Sequence, residues 1–159
     1  MKIAILTIGR LKAGAERELF ERYFDRAVKA GRRLGLSFAL HEFPEGRAGS
    51  AEARKDEEAG ALLAKSPRDA VVLVLDERGT TLGSTAFAER LRAWRDGGKS
   101  DVAIVIGGPD GFGQAISDRA ALRLAFGAMT WPHQLVRIML AEQLYRAVTI
   151  LSGHPYHRE

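Results

Sequence analysis

The stretch at residues 101–113, DVAIVIGGPDGFG, constrains the fold of this chain more than any other part of the sequence. Residues 102–106 are apolar without alternation, which is typical of a strand buried on both faces in a parallel sheet. The glycines that follow stand at positions 107, 108, 111 and 113. Glycine allows close approach of a ligand, and ligands of open α/β sheets bind beyond the carboxyl ends of the strands. We therefore predict a ligand site at residues 107–113, with a tight ligand-free connection as the alternative.

The spacing of these glycines excludes two common nucleotide sites. No Gly-Lys-Ser/Thr sequence follows the strand, so the loop lacks the lysine of a P-loop. The order G-G-P-D-G-F-G also differs from the G-x-G-x-x-G pattern of dinucleotide-binding folds. A loop of bare amides and carbonyls suits a ligand that is recognised through a base edge and a sulfur or carboxylate end. S-adenosylmethionine is one such ligand, although the loop alone does not single it out.

Length and composition are those of an ordinary globular protein. The 159 residues are expected to form a single domain over residues 1–159. The formal net charge of +4 permits a polyanionic partner such as RNA without requiring one. The sequence contains no cysteine, which excludes disulfides and cysteine-based metal sites. No apolar run is long enough for a signal-peptide core or a membrane span, so we expect a cytoplasmic protein.

Apolar runs and periodic apolar stripes predict an alternation of strands and helices. The expected strands cover residues 2–8, 36–43, 70–75, 102–106 and 122–128. The expected helices cover residues 14–34, 51–65, 85–96, 114–119 and 133–149. Ser50 and Ser84 are placed to cap two of these helices. Such an alternation indicates an α/β fold in which helices flank a parallel sheet.

Two of the expected helices contrast in polarity. The helix at 133–149 is apolar over most of its circumference, so it should be buried, and we expect a second subunit to help cover it. Its thin polar stripe consists of Glu142, Gln143 and Arg146. The helix at 51–65 has few large apolar residues and should be peripheral. Arg47, Arg54 and Lys55 lie near its start and could meet RNA phosphates, but acids follow at once at 56–58, which favours a solvated run of charges.

The C-terminal tail, residues 153–159 (GHPYHRE), is rich in groups that carry chemistry. Tyr156 or His157 could stack on an unpaired base, and Arg158 could hold a phosphate. Histidine also exchanges a proton near neutral pH. His154 and His157 have the spacing of a metal-binding pair, but they lack a third ligand, and we predict no metal site. Disorder is the alternative interpretation of such a terminus.

Four segments spread over the whole chain carry a resemblance to a known family. They are VLDERG (74–79), VIGGPDGFG (105–113), MTWPHQLVRIMLAEQLYRA (129–147) and HPYHRE (154–159). Together they resemble the SPOUT-class ribosomal RNA large subunit methyltransferase H family. The resemblance implies a SPOUT-type parallel sheet with a C-terminal trefoil knot, and a homodimer. It also implies methyl transfer from S-adenosylmethionine to N3 of a pseudouridine in 23S ribosomal RNA, on the assembled ribosome.

The resemblance also assigns site residues by motif. The implied cofactor-binding residues are Leu75, Gly108, Gly127, Ala128, Met129, Thr130, Trp131 and Pro132. The target nitrogen must lose a proton as it attacks the methyl group, so a base or a cation is needed beside it. The matching tail gives Tyr156, His157 and Arg158 as catalytic candidates, with His157 as the expected proton acceptor.

The chain departs from the family pattern at two places, and two alternatives stay open. Residues 80–85 (TTLGST) replace a lysine and a Ser-Ser-Glu run. Trp131 stands where Leu or Phe is common, and we expect it to pack against the cofactor. One alternative function is a non-catalytic RNA-binding module with the same fold. The other is a transfer-RNA methyltransferase of the same class, although those enzymes generally append an RNA-binding domain, for which 159 residues leave no room.

Overall fold

The computed structural model describes residues 1–157 and contains a five-stranded sheet in which every pairing is parallel. The strands are β1 (Lys2–Ile8), β2 (Ser37–Phe43), β3 (Val71–Thr81), β4 (Asp101–Ile106) and β5 (Ala120–Ala125). Their spatial order is β2-β1-β4-β3-β5. The predicted parallel α/β sheet is therefore confirmed, and the apolar run at 102–106 forms its central strand.

Helices cover both faces of this sheet. They are α1 (Ala15–Gly31), α2 (Ala51–Lys65), α3 (Ser84–Asp96), α4 (Gln114–Arg119) and α5 (His133–Leu151), with a 3₁₀ turn at Arg32–Leu34. One apolar core joins α1, α3 and α5 to the sheet, and a smaller core joins α2 and α4 to the opposite face. Because both faces are covered, a central strand such as β4 must be apolar along its length. Within the described part of the chain, no helix combines the length and apolar character that crossing a bilayer requires.

Strand β3 is longer than predicted. It continues to Thr81 instead of ending at Leu75, although its pairing with β5 is irregular between Leu75 and Thr80. The pairing resumes because Gly79 lies directly against the backbone of β5. A Cβ at Gly79 would lie 2.7 Å from the carbonyl carbon of Arg123, so only glycine allows this approach. The residues that follow the predicted strand at 70–75 therefore form an interruption within a longer strand.

Strand β5 and helix α1 also differ from their predicted bounds. The strand spans Ala120–Ala125 and not residues 122–128. It ends early because Gly127 has a φ of 107°, a conformation that leaves the ladder. The helix expected at 14–34 ends at Gly31, where the chain tightens into the 3₁₀ turn that leads to β2.

The two predicted helix caps have different outcomes. Ser50 is confirmed as the N-cap of α2, since its Oγ accepts a hydrogen bond from the Ala53 amide at 3.2 Å. Ser84 is not a cap: it is the first residue of α3, and Gly83 occupies the N-cap position. The Ser84 Oγ instead donates to Gln143 Oε1 at 2.9 Å, which links α3 to α5.

Helix α2 is less peripheral than predicted. Leu62 is 1% exposed and packs with Ala59 against the sheet. The acids at 56–58 were expected to be solvated, and this expectation is wrong for Glu58, which is 6% exposed. Its carboxylate tolerates burial because Oε1 accepts a hydrogen bond from the Gly46 amide at 2.9 Å.

Helix α5 is apolar as predicted, but its own chain covers most of it. Its middle residues, including Leu140 and Leu144, are fully buried against α1, α3 and the sheet. The large apolar side chains that stay exposed are Met129 (72%), Trp131 (39%) and Leu135 (41%). The case for a second subunit therefore depends on the start of α5 and the segment before it, and not on the whole helix.

A buried arginine ties the start of α5 to the sheet. Arg137 is 4% exposed, and its Nη2 donates to the carbonyls of Ile8 at 2.6 Å and Gly9 at 3.1 Å. Its Nη1 donates to Glu42 Oε1 on β2 at 3.2 Å. Burial lowers the pKa of Arg137, and the Glu42 carboxylate opposes that shift. Since Arg137 lies one turn after His133, these contacts fix the N-terminal end of α5 against the carboxyl edge of the sheet.

We predict that Arg137→Ala lowers the free energy of unfolding by about 3–5 kcal/mol, because it breaks a buried ion pair and removes the hydrogen bonds that Arg137 donates to the Ile8 and Gly9 carbonyls. Urea denaturation followed by circular dichroism measures the change. The matched control is Arg92→Ala, which removes an exposed ion pair with Glu89 and should change the free energy by less than about 1 kcal/mol. Equal effects of the two substitutions would contradict the structural role of Arg137.

Candidate active site

Three segments at the carboxyl edge of the sheet enclose a cleft of about 780 Å³. They are the interrupted part of β3 at residues 76–79, the glycine loop at 107–113, and the linker at 126–132, which joins β5 to α5. The first turn of α5 closes the remaining side. A cleft of this volume suits a small organic ligand, and it lies where ligands of open α/β sheets bind.

The structure brings most of the predicted cofactor-binding residues to the wall of this cleft. Those that line it are Leu75, Gly108, Gly127, Met129, Thr130 and Trp131. Ala128 and Pro132 belong to the same linker but do not line the cleft, whereas His133, the first residue of α5, does. Residues that are far apart in sequence thus meet at one place, and their assignment to a cofactor stays a prediction.

The glycine loop is packed directly against α2. A Cβ at Gly113 would lie 2.9 Å from the carbonyl oxygen of Lys55, and a Cβ at Gly108 would lie 2.8 Å from Glu58 Oε2. Between them Gly111 has a φ of 87°, which side-chain-bearing residues rarely adopt. The loop therefore needs glycine both for its own conformation and for its contact with α2.

An ion pair fixes the tip of the glycine loop. Arg54 Nε donates to Asp110 Oδ2 at 2.7 Å, and Arg54 Nη1 donates to the carbonyl of Ala48 at 3.2 Å. The hydrogen bond from the Arg54 guanidinium stabilises the charged carboxylate and so lowers the pKa of Asp110. Arg54 was expected in a solvated run of charges, with RNA phosphates as the alternative. In the structure its guanidinium instead binds Asp110 of the glycine loop.

The linker is held by contacts within itself and to β3. Gly127 turns the chain out of β5 with its positive φ. The indole Nε1 of Trp131 donates to the carbonyl of Phe126 at 3.2 Å, which closes the linker on itself. Thr130 Oγ1 donates to Glu77 Oε2 at 3.0 Å and ties the linker to β3. The exposed face of Trp131 remains available to a ligand in the cleft.

A charged wall adjoins the linker, and sequence reasoning assigned no function to it. Arg123 Nη1 donates to Asp76 Oδ2 at 3.0 Å, and Asp76 Oδ1 accepts from the Arg78 amide at 3.0 Å. Glu77 adds a second carboxylate. The available signal was the position of two acids directly after a buried apolar run, at the end where such sheets bind ligands. A wall with both signs of charge suits a ligand that carries both.

The predicted catalytic residues of the C-terminal tail lie away from this cleft. The Tyr156 hydroxyl donates to Glu142 Oε1 at 3.1 Å, and His157 Nδ1 lies 3.4 Å from Arg146 Nη1. Both partners belong to the middle of α5. Arg158 lies outside the described residues. Tyr156 and His157 therefore pack on α5, and neither lines the cleft of its own chain.

Comparison with known families assigns the chain to a class. A family model described as "Predicted SPOUT methyltransferase" matches residues 1–157. The match includes all three segments that enclose the cleft as well as the tail on α5. The chain therefore belongs to the SPOUT methyltransferase family.

Full-length relatives are more specific. The chain is 55% identical over 159 residues to a protein of Brucella anthropi named ribosomal RNA large subunit methyltransferase H, and the alignment covers 99% of each chain. It is 56% identical over 159 residues to the protein of the same name from Rhizobium etli, again with 99% coverage of each. The resemblance found in the sequence is thus confirmed. A solved structure of a probable methylase family protein from Haemophilus influenzae shares the fold, with a TM-score of 0.51, 14% identity, and coverage of 99% of this chain and 70% of that one.

We predict that Gly113→Ala lowers the free energy of unfolding by about 1–3 kcal/mol, because the added methyl group meets the Lys55 carbonyl. The matched control is Gly60→Ala in α2, where a Cβ would meet nothing within 4 Å. This control should raise the free energy of unfolding by about 0.5–1 kcal/mol, the usual gain in a helix interior. Urea denaturation measures both. A Gly113→Ala protein as stable as the wild type would show that the loop does not pack tightly on α2.

Proposed function

We propose that this chain methylates N3 of a pseudouridine in 23S ribosomal RNA, with S-adenosylmethionine as the methyl donor. The observation that carries the proposal is the convergence of the glycine loop and the linker on one cleft, in a chain closely similar to proteins named ribosomal RNA large subunit methyltransferase H. Membership of the SPOUT methyltransferase family supports the methyl transfer. The name of the relatives supports the RNA substrate.

The chemistry of the cleft suits S-adenosylmethionine. Gly107 and Gly108 place backbone at the wall of the cleft, where we propose that it meets an adenine edge. Trp131 exposes an aromatic face that can pack on a flat ring. Asp76 and Glu77 place negative charge on the wall of the cleft, which favours a ligand with a sulfonium and an ammonium group. When bound, this ligand supplies a methyl group on a positively charged sulfur.

The protein's own task in this reaction is to position the target nitrogen and to remove its proton. N3 of pseudouridine is a weakly acidic imide nitrogen. Its bond to the methyl carbon forms as the carbon–sulfur bond breaks, and the imide proton passes to a base. We propose His157 as that base. Tyr156 and Arg158 would position the target and stabilise the negative charge that develops on its carbonyl oxygens.

We propose that each tail acts on the cleft of a second subunit. His133 lies at the edge of the cleft. Glu142, which holds Tyr156, follows it by nine residues in α5. At about 1.5 Å per residue, this separates them by about 14 Å along α5, whereas reacting atoms must approach within about 3 Å. A two-fold homodimer brings each tail to the other cleft. The exposed apolar side chains beside the cleft supply a surface for this contact.

We also propose the trefoil knot that the family resemblance implies, a rare exception to the rule that chains are unknotted. Its support is the close passage of the chain at the site. Strand β5 lies beside β3 and not beside β4, which precedes it in the chain. Gly79 lies so close to β5 that a Cβ would be 2.7 Å from Arg123 and 2.8 Å from Leu124. Such close contact between two backbone segments is required where one segment is threaded past another.

The assembled ribosome, in the cytoplasm, is the substrate that we propose. A net charge of +4 gives the chain only a modest electrostatic attraction to phosphates. The walls of the cleft carry both signs of charge and form no basic groove that would follow an RNA strand. A folded ribosomal surface would supply the recognition that the cleft does not provide.

We predict that His157→Ala lowers methyl transfer to ribosomes by about 100-fold or more, the usual contribution of a general base. Calorimetric binding of S-adenosylmethionine should be unchanged. Gly127→Val should abolish that binding, because a β-branched residue does not adopt the φ of 107° found there. Full activity of His157→Ala would exclude His157 as the proton acceptor. A wild-type protein without saturable binding of S-adenosylmethionine would favour the non-catalytic RNA-binding module.

Mixing these two inactive variants tests the shared site. In a random mixture about half of the dimers contain one chain of each kind, and each such dimer has one intact pair of cleft and tail. We therefore predict that co-assembly of His157→Ala with Gly127→Val restores about a quarter of the wild-type activity. If each tail served the cleft of its own chain, the mixture would stay inactive.

A further inference from the structure

Glu142 on α5 is the centre of a polar cluster that has no role in the reaction as described so far. Its Oε1 accepts hydrogen bonds from the Tyr156 hydroxyl at 3.1 Å and from Arg146 Nε at 2.9 Å. Its Oε2 accepts from Gln143 Nε2 at 2.8 Å, and Gln143 is in turn held by Ser84 on α3. The Glu142 side chain is 17% exposed. Both carboxylate oxygens are therefore fixed, and the carboxylate is directed at the tail.

Arg146 extends this order to His157. Its guanidinium lies 4.9 Å from the centroid of the Tyr156 ring, and its Nη1 lies 3.4 Å from His157 Nδ1. Arg146 therefore links the imidazole ring of His157 to the same cluster that holds Tyr156.

Tyr156 is enclosed by both α5 and α1. Its ring packs against Tyr145, with centroids 4.7 Å apart. The titratable and charged groups around it are Glu142, Tyr145 and Arg146 on α5, Tyr23 and Arg26 on α1, and His154 in the tail. Burial, followed by the charge of Glu142, raises the pKa of Tyr156 to about 12. The phenol therefore keeps its proton near neutral pH and remains a hydrogen-bond donor to Glu142.

We propose that Glu142 is a positioning residue, whose carboxylate anchors the C-terminal tail on α5 and presents His157 in one orientation to the cleft of a second subunit. This inference rests on the proposed role of the tail in methyl transfer. It goes beyond that role by identifying the side chain that holds the tail in place before the ribosome binds. Glu142 does not line the cleft, so its removal should slow turnover without weakening the binding of the methyl donor.

The test compares Glu142→Gln with the matched control Glu89→Gln. The first variant keeps the size of the side chain and removes the charge that holds Arg146 and Tyr156. The second removes the same charge from an exposed pair with Arg92 on α3 and should turn over like the wild type. Methyl transfer to ribosomes is measured at saturating S-adenosylmethionine, and binding of the methyl donor by calorimetry. We expect Glu142→Gln to turn over about 10- to 100-fold more slowly, the usual effect of small misplacement, with unchanged affinity for the methyl donor.

A spectroscopic measurement distinguishes anchoring from general damage to the fold. Ultraviolet difference spectra of tyrosinate, each taken against the matching Tyr156→Phe protein, follow the ionisation of Tyr156 alone. Loss of the negative charge at Glu142 makes it easier for the phenol to lose its proton. The midpoint should therefore fall from about 12 in the wild type towards the ordinary value of about 10. Circular dichroism under the same conditions shows whether the fold is retained.

The outcomes separate failure of this inference from failure of the proposed function. Normal turnover of Glu142→Gln, an unchanged Tyr156 midpoint, or weaker binding of the methyl donor would overturn the anchoring role while an inactive His157→Ala still supported catalysis by the tail. If His157→Ala also turned over normally, catalysis by the tail would be wrong and the anchoring role with it. Slow turnover together with a lower Tyr156 midpoint and intact binding of the methyl donor would support the inference.

Discussion

Parallel pairing of β3, β4 and β5 is the constraint on which the site depends. Because the three strands run in the same direction, the segments that follow them meet at one edge of the sheet. Close packing of these segments then restricts which residues can occupy this edge of the sheet. Gly79, Gly108 and Gly113 each lie where a Cβ would collide with a neighbouring segment. At Gly79 and Gly113 the neighbour is backbone, and at Gly108 it is the side chains of Glu58 and Ile8. The cleft is thus formed by closely packed segments, and Arg137 fixes α5, which closes the remaining side.

Sequence patterns predicted the elements whose environment is set locally. Residues 102–106 are apolar throughout, which predicted a strand covered on both faces. Errors arose where a distant partner decides the outcome. Glu58 was expected in solvent because its hydrogen-bond partner, the Gly46 amide, cannot be identified from the neighbours of Glu58. Ser84 looked like a helix cap because its partner, Gln143, is on another helix.

The candidate site, like the secondary-structure elements, could be predicted from the sequence only in part. Motif resemblance identified the residues of the glycine loop and the linker, and the structure brings most of them around one cleft. The acids of the charged wall received no role, since their proximity to the linker depends on the pairing of β3 with β5. The position of the tail was also unpredictable. Its attachment to α5 depends on Glu142 and Arg146, which the apolar pattern of that helix marked only as a polar stripe.

We propose that this chain adds a methyl group to a pseudouridine of large-subunit ribosomal RNA. Mass spectrometry of that RNA from a strain lacking the gene, with and without the gene restored, tests this proposal. We predict that one pseudouridine nucleotide lacks the mass of a methyl group in the deletion strain and regains it when the wild-type gene is returned. Identical ribosomal RNA modification in the two strains would contradict the account.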